Sequence, residues 1–193
     1  MISREKAMDL IKPLLDQRRM AHTLGVEGCA ITLAGLYGIE AEKASVAALL
    51  HDMFRCYSDE KLLLLAETWA MPVDPYERDS PRLLHGPAAA CWLSREGVVN
   101  EPDILRAIAH HTIGCPGMSG LEMLIYTADA IEPTRQYPGV EALRAIAPQS
   151  LERVTLAALE HSISHLTERG IEPHPRQMQA MEWLKQTIGE DFI

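Results

Sequence analysis

Five places along this chain put ionisable side chains where the hydrophobic pattern leaves them no water. His22 shares the apolar stripe of its own segment, and His51-Asp52 close the run VAALLHD. His85 follows two leucines in SPRLLHG, His110-His111 follow ILRAIA, and Asp129 interrupts LIYTADAI. Burying such a group is costly unless it is paired or binds a metal. A lone histidine on an apolar face is ordinarily a hydrogen-bonded core residue. Five positions of this kind, each at or near the end of an apolar run, call for a common cause. Neutral imidazole nitrogen and carboxylate oxygen are ligands for Fe, Mn, Zn or Co. A set without thiolates suits a catalytic site better than a structural one.

The elements that must position these groups read as helices almost throughout. His22, Val26, Cys29, Leu33 and Leu36 recur at steps of three and four between Arg19 and Tyr37, with Gly38 as the stop. Glu40 to His51 is alanine-rich, with Ala44, Ala47, Ala48 and His51 at helical spacing, so a neighbouring helix can approach closely. Met71 to Pro81, rich in Pro, Asp and Arg, reads as a loop. Helical patterns resume at about 82–96, 103–111 and 119–131. Leu156, Leu159, Ile163 and Leu166 mark a further helix ended by Gly170 and Pro173. Pro175 suits the first turn of a last one carrying Met181, Leu184 and Ile188. No alternating run suggests a strand, and there are no repeats. The expected class is all-α.

Composition narrows the function. The 193 residues fit one domain, and 47% apolar content is too high for disorder. A net charge of −9 and a pI near 5.3 exclude a general phosphate-backbone footprint, so no nucleic-acid partner is expected. An anionic substrate would need local positive charge from a metal or a few aimed arginines. Cys29, Cys56, Cys91 and Cys115 form no CxxC pair, which reads as free thiols in a reducing cytoplasm. The N-terminus lacks a signal-peptide pattern, and no stretch approaches the roughly 18 apolar residues of a membrane span. A soluble cytoplasmic protein is expected.

The order His22, His51-Asp52, Asp129, with 29 and 77 residues between the three groups, resembles the H…HD…D signature of HD-domain metal-dependent phosphohydrolases. The dipeptide alone carries nothing. The flanking strings RMAHTLGV, LLHD, LLHG, AIAHHTIG and YTADAIEPTR resemble one branch, the YqeK family of bacterial symmetrical diadenosine tetraphosphate hydrolases. The likeness covers roughly residues 15–160, and the segment after Leu166 matches weakly and is read as completing the bundle.

The resemblance implies a single HD-domain helical bundle over 1–193 and hydrolysis of diadenosine tetraphosphate and related dinucleoside polyphosphates to two ADP. It implies His22, His51, Asp52 and Asp129 as ligands of one metal, iron in the family, with Mn, Co or Zn as substitutes. His85 and His111 would line the polyphosphate pocket or, with Asp52 bridging, complete a second metal position. His111 rather than His110 matches, because the family's histidine directly precedes Thr; His110 should face elsewhere. Thr127 to Arg135 matches a stretch that wraps the nucleotide diphosphate, with Arg135 offering a planar fork to phosphate. Arg55, where the family carries a basic residue, and Arg19, one turn before His22, are further candidates. The expected catalytic set is Asp52, Asp129, His85 and His111. Substrate contacts fall to His22, Arg55, His85, His111, Thr127, Asp129 and Arg135. A homodimer is left open. Two other readings use the same residues: an HD-type hydrolase of mononucleotides and a non-hydrolytic nucleotide-binding regulatory module.

Overall fold

The computed structural model describes residues 1–190. Among them are eleven α-helices and no strand: α1 (Arg4–Ile11), α2 (Gln17–Tyr37), α3 (Ala41–Leu50), α4 (Asp59–Thr68), α5 (Pro75–Asp79), α6 (His85–Arg95), α7 (Pro102–His110), α8 (Gly120–Ile131), α9 (Val140–Ile146), α10 (Leu151–Glu168) and α11 (Pro175–Glu190). The all-α expectation is met. None of these helices is long and apolar enough to cross a membrane.

Capping residues explain where the site-bearing helices begin and end. Asp16 accepts from Arg19 N at 2.8 Å to open α2, and Gly38, at φ 66°, closes it in the left-handed conformation that glycine adopts without strain. Ser119 and Glu122 form a capping box that opens α8. Helix α2 packs on α3 and α8, α7 packs on α6 and α8, and α10 packs on both α8 and α11. Ala44, Ala47 and Ala48 are wholly buried in α3, which lets α2 and α7 close on it. The core they share includes Val26, Leu49, Leu50, Leu84, Ile104, Ile108, Leu124 and Leu159.

The stretch 71–81 departs from the expected loop. Asp74 accepts from Glu77 N while the Glu77 carboxylate accepts from Asp74 N, and Pro75 opens a five-residue helix. Proline at the first helical position is compatible with a helix, because that N–H is unpaired there anyway. A 3-10 turn, Pro81–Leu84, then delivers His85 to the start of α6.

Candidate metal centre

The histidines converge because three of them follow the C-terminal end of a helical turn (α3, the 3-10 turn 81–84 and α7), with a backbone carbonyl three residues back in reach. His51 ends α3 and donates Nδ1–H to Ala48 O. His85 begins α6 and donates to Arg82 O; His111 ends α7 and donates to Ile108 O at 2.8 Å. His22, in the middle of α2, has no free carbonyl and donates instead to Glu132 Oε1 at 2.9 Å. Each Nδ1–H is thereby committed, which fixes the tautomer and leaves each Nε2 with a lone pair pointing inward.

Asp52 stands at the centre, 3% exposed, with its two oxygens serving different histidines. Oδ2 lies 3.7 Å from both His22 Nε2 and His51 Nε2, and Arg19 Nη1 donates to it at 3.1 Å. Oδ1 lies 3.0 Å from His85 Nε2 and 3.7 Å from His111 Nε2. Asp129, on α8, approaches His22 Nε2 at 3.0 Å through Oδ1, off the direction of a hydrogen bond. The ligand atoms of His22, His51 and Asp129 lie within 4.8 Å of one another, as do those of His51, Asp52 and His111.

Two observations fit this donor set to a cation. His22 Nε2 and His51 Nε2 are buried with no hydrogen-bond partner among the described residues, a costly arrangement for a polar nitrogen without a ligand. His85 Nε2 and His111 Nε2 face each other at 3.0 Å although both Nδ1–H groups are already spent. Two lone pairs at that distance require a proton or a metal ion between them. Nitrogen and carboxylate donors without thiolate suit iron, manganese, cobalt or zinc.

The charges agree with that role. Burial pushes His51 down to about 4, keeping it neutral and able to coordinate. Burial alone would raise Asp52, but His51, His111 and His85 outweigh it and hold the carboxyl well below its usual range. Asp129 is likewise ionised: His22 and Arg135 overcome the cost of its burial.

Three residues outside the expected set complete the centre. Glu132, wholly buried at the end of α8, also accepts from Thr134 N at 2.7 Å and from the Thr134 hydroxyl, so it is fixed before it orients His22. Gly25 makes room for it, since a Cβ there would stand 2.5 Å from Glu132 Oε2. Gly86 acts similarly behind His111: a Cβ would lie 2.6 Å from Ile108 O and 3.0 Å from the imidazole. Both glycines and Glu132 lie inside the strings RMAHTLGV, LLHG and YTADAIEPTR, but spacing alone gives no sign of what they touch.

The basic residues divide. Arg55 is partly buried near Asp52, Arg19 and Arg82 and makes no hydrogen bond or ion pair among the described residues. Arg135 is engaged: Nε donates to Asp129 O at 2.8 Å and Nη2 to the Asp129 carboxylate. It therefore holds Asp129 in place and has less of its fork free than a dedicated phosphate clamp. Thr127 lies away from the cluster. Two residues before Asp129 is roughly the opposite side of the helix, and its hydroxyl is buried against Thr155 Oγ1 at 2.9 Å. His110 points elsewhere as expected, bonded to Glu122 Oε1 at 2.7 Å.

Residues 19–134 match the HD domain family. The chain belongs to the HD-domain family. Its sequence is 34% identical over 183 residues to the symmetrical bis(5'-nucleosyl)-tetraphosphatase of Bacillus subtilis (strain 168), covering 95% of this chain and 98% of that one. It is 38% identical to the protein of the same name from Halalkalibacterium halodurans, covering 90% and 92%. In three dimensions it matches, at TM-score 0.92 and 33% identity, a crystal structure from Clostridium acetobutylicum described as a predicted HD superfamily hydrolase involved in NAD metabolism. That match spans 97% of this chain and 99% of the other. The HD family match covers residues 19–134, which include the histidine–aspartate cluster, whereas the relatives and the crystal structure match nearly the whole chain.

Proposed function

We propose that this HD-domain protein hydrolyses dinucleoside polyphosphates, diadenosine tetraphosphate foremost, symmetrically to two ADP. The observation that carries the reading is the near full-length likeness to two enzymes named symmetrical bis(5'-nucleosyl)-tetraphosphatase, in a chain whose buried Nε2 atoms converge on one carboxylate. His22, His51, Asp52 and Asp129 hold the metal, iron in this reading, with Mn, Co or Zn able to replace it. His85 and His111 hold a second ion with Asp52 or contact phosphate directly. The chemistry such an ion supplies is Lewis acidity, which polarises phosphoryl oxygen and makes water a nucleophile near neutral pH.

The chain's own residues supply position and charge. Asp52 and Asp129, both ionised, are placed to take the proton of the attacking water. ADP is a good leaving group, so no strong general acid is needed. Arg55, unpaired and partly buried, is a cation waiting for an anion, and Arg135 reaches the same phosphates from the Asp129 side. With a net charge of −9 repelling a polyphosphate at long range, these local cations are what bring it to the metal. Residues 1–193 act as one cytoplasmic domain, whose last three positions lie outside the described residues.

The test is product chromatography at initial rate on protein purified without chelator. Diadenosine tetraphosphate should give ADP alone. Equal AMP and ATP would mean asymmetric attack and would overturn the assignment. Turnover of mononucleotides alone would favour an HD nucleotidohydrolase, and binding without turnover a regulatory module.

A further inference from the structure

Two cavities adjoin the histidine–aspartate centre, one of about 490 Å³ beside His22 and one of about 320 Å³ between α8 and α10, and residues of that centre line both. A second cluster of ligand atoms lies in the connection from α7 to α8, built on His110, the histidine that turns away from the centre. His110 Nδ1 is 2.7 Å from Glu122 Oε1, and Cys115 Sγ is 3.3 Å from that nitrogen and 3.6 Å from that oxygen. Gly114, at φ 69°, takes the left-handed turn that ends α7. Its N–H donates to His110 O at 2.7 Å, and the turn brings Cys115 back beside His110. The two Glu122 oxygens have different tasks. Oε2 accepts from Ser119 N at 2.9 Å and pairs with Arg106 Nη2 at 3.2 Å, while Oε1 faces His110 and Cys115. Cys115 and Glu122 are buried, whereas the His110 side chain is 25% exposed, so the cluster has one open side. Hydrogen bonding alone uses these groups poorly. With Nδ1–H donated to Glu122, the thiol is left a 3.6 Å contact to the same oxygen, long even for so weak a donor. Burial and the Glu122 carboxylate push that thiol up to about 11, so it carries a proton when no ion is near.

We propose that His110, Cys115 and Glu122 form a second, thiolate-containing cation site that takes zinc and pins the end of α7 to the start of α8. Imidazole, thiolate and carboxylate are all zinc donors. Thiolate is the one type that the histidine–aspartate centre lacks, so the two sites differ in the ions they favour. On a tetrahedral ion with bonds of about 2.0–2.3 Å, ligand atoms stand about 3.3–3.6 Å apart. Both separations from Cys115 Sγ already have that spacing. Only the His110–Glu122 pair must open, by about 0.6 Å, as its hydrogen bond gives way to two bonds to the ion. The fourth position falls to water on the open side. Binding replaces the Sγ–H bond with a bond from Sγ to the metal, and that proton passes to water. The His110 proton moves from Nδ1 to Nε2. The ion's two positive charges then offset the thiolate and the carboxylate, which burial would otherwise disfavour. Cys29, Cys56 and Cys91 join no such group among the described residues. The site stands whatever substrate the HD-domain centre takes.

The test titrates cobalt(II), a spectroscopic stand-in for zinc, into the reduced, chelator-stripped full chain. A thiolate on cobalt gives a near-ultraviolet charge-transfer band that the histidine–aspartate centre, having no sulfur ligand, does not produce. Wild type should show the band, and excess zinc should bleach it. Cys115→Ser should lose it, and Cys56→Ser, at an exposed thiol, should keep it. His110→Gln keeps the thiol and the carboxylate and should weaken cobalt binding at this band by about 100-fold, the upper end of what even an outer partner of a metal ligand is worth. Elemental analysis after zinc loading should give one more ion per chain in wild type than in Cys115→Ser. Zinc should also raise the thermal midpoint of wild type more than that of Cys115→Ser. No band in wild type overturns the proposal, as does a band that survives in Cys115→Ser or equal zinc content in the two proteins. Circular dichroism checks that Cys115→Ser is folded; if it is not, His110→Gln decides, and a cobalt affinity unchanged at this band overturns the site.

Discussion

Glu132 accepts the Nδ1–H of His22 at 2.9 Å, a contact across 110 residues that ties the end of α8 to the middle of α2. Helix α2 thereby gains, from a side chain, the acceptor that helix ends give to His51, His85 and His111. Such outer partners of metal-binding histidines are worth about 10–100-fold in affinity. Glu132→Ala should weaken metal binding by that factor in a chelator competition. Glu132→Gln, which keeps an acceptor oxygen, should lose less. Equal and wild-type affinities in both would mean His22 needs no such support.

Asp52 offers one oxygen to His22 and His51 and the other to His85 and His111. Asp52→Ala should abolish bound metal and activity together, by elemental analysis and initial rates. His85→Ala should lose activity yet keep most of the metal held by His22, His51, Asp52 and Asp129. Wild-type activity in Asp52→Ala would refute the site.

Gly86 lets α6 approach α7 so closely that a methyl group would meet the Ile108 carbonyl at 2.6 Å. That oxygen is the one that orients His111. Gly86→Ala should cost about 1–3 kcal/mol of stability, the usual range for overpacking, and reduce kcat through a displaced imidazole. Gly28→Ala, in the interior of α2 where a Cβ meets nothing within 4 Å, is the control and should gain about 0.5–1 kcal/mol in urea unfolding from helix propensity alone.

Away from the centre, Glu122 caps α8 and bonds His110. Burial would raise it, but His110, the Ser119 cap and Arg106 hold it down to about 2 from an ordinary 4.5. Because the folded value is the lower one, its stabilisation is complete above about 4.5 and is lost as pH falls toward about 2. Glu122→Gln should therefore be less stable at pH 7 by about 1–3 kcal/mol, with the gap narrowing in acid. Urea unfolding of both chelator-treated proteins from about pH 7 to pH 3 measures this; a gap independent of pH would contradict it.

Much of the centre was legible in the chain itself, because polar groups at the ends of apolar helical runs have few solutions. His22, His51, Asp52, His85, His111 and Asp129 all reach one cluster, and His110 turns away as the family resemblance implied. Helix α2 was readable from its three-and-four spacing, although Leu36 on that stripe is 55% exposed: the stripe outlasts the neighbours that cover it. Short elements were harder. Helix α1 buries only Ala7 and Ile11, and α4 only Leu62 and Ala66, so neither has a periodic face long enough to read.

The order and spacing of the clustered histidines and aspartates, the helical class and the net charge of −9 were determined by the sequence alone, since each follows from local pattern or composition. For His51, His85 and His111 the nitrogen that turns inward is set locally, by a carbonyl three residues back, but for His22 it was decided only by the tertiary structure, through a glutamate 110 residues away. The same holds for Thr127, whose place in a matching string says nothing about the helix side that meets Thr155, and for Arg135, whose fork is drawn onto Asp129. It holds most for the cavity between α8 and α10. Its walls come from residues about 50 positions apart along the chain, from His111 to His161, and only the docking of α10 on α8 makes them face each other. Local pattern sets what a segment can form; which groups meet across segments is a property of packing.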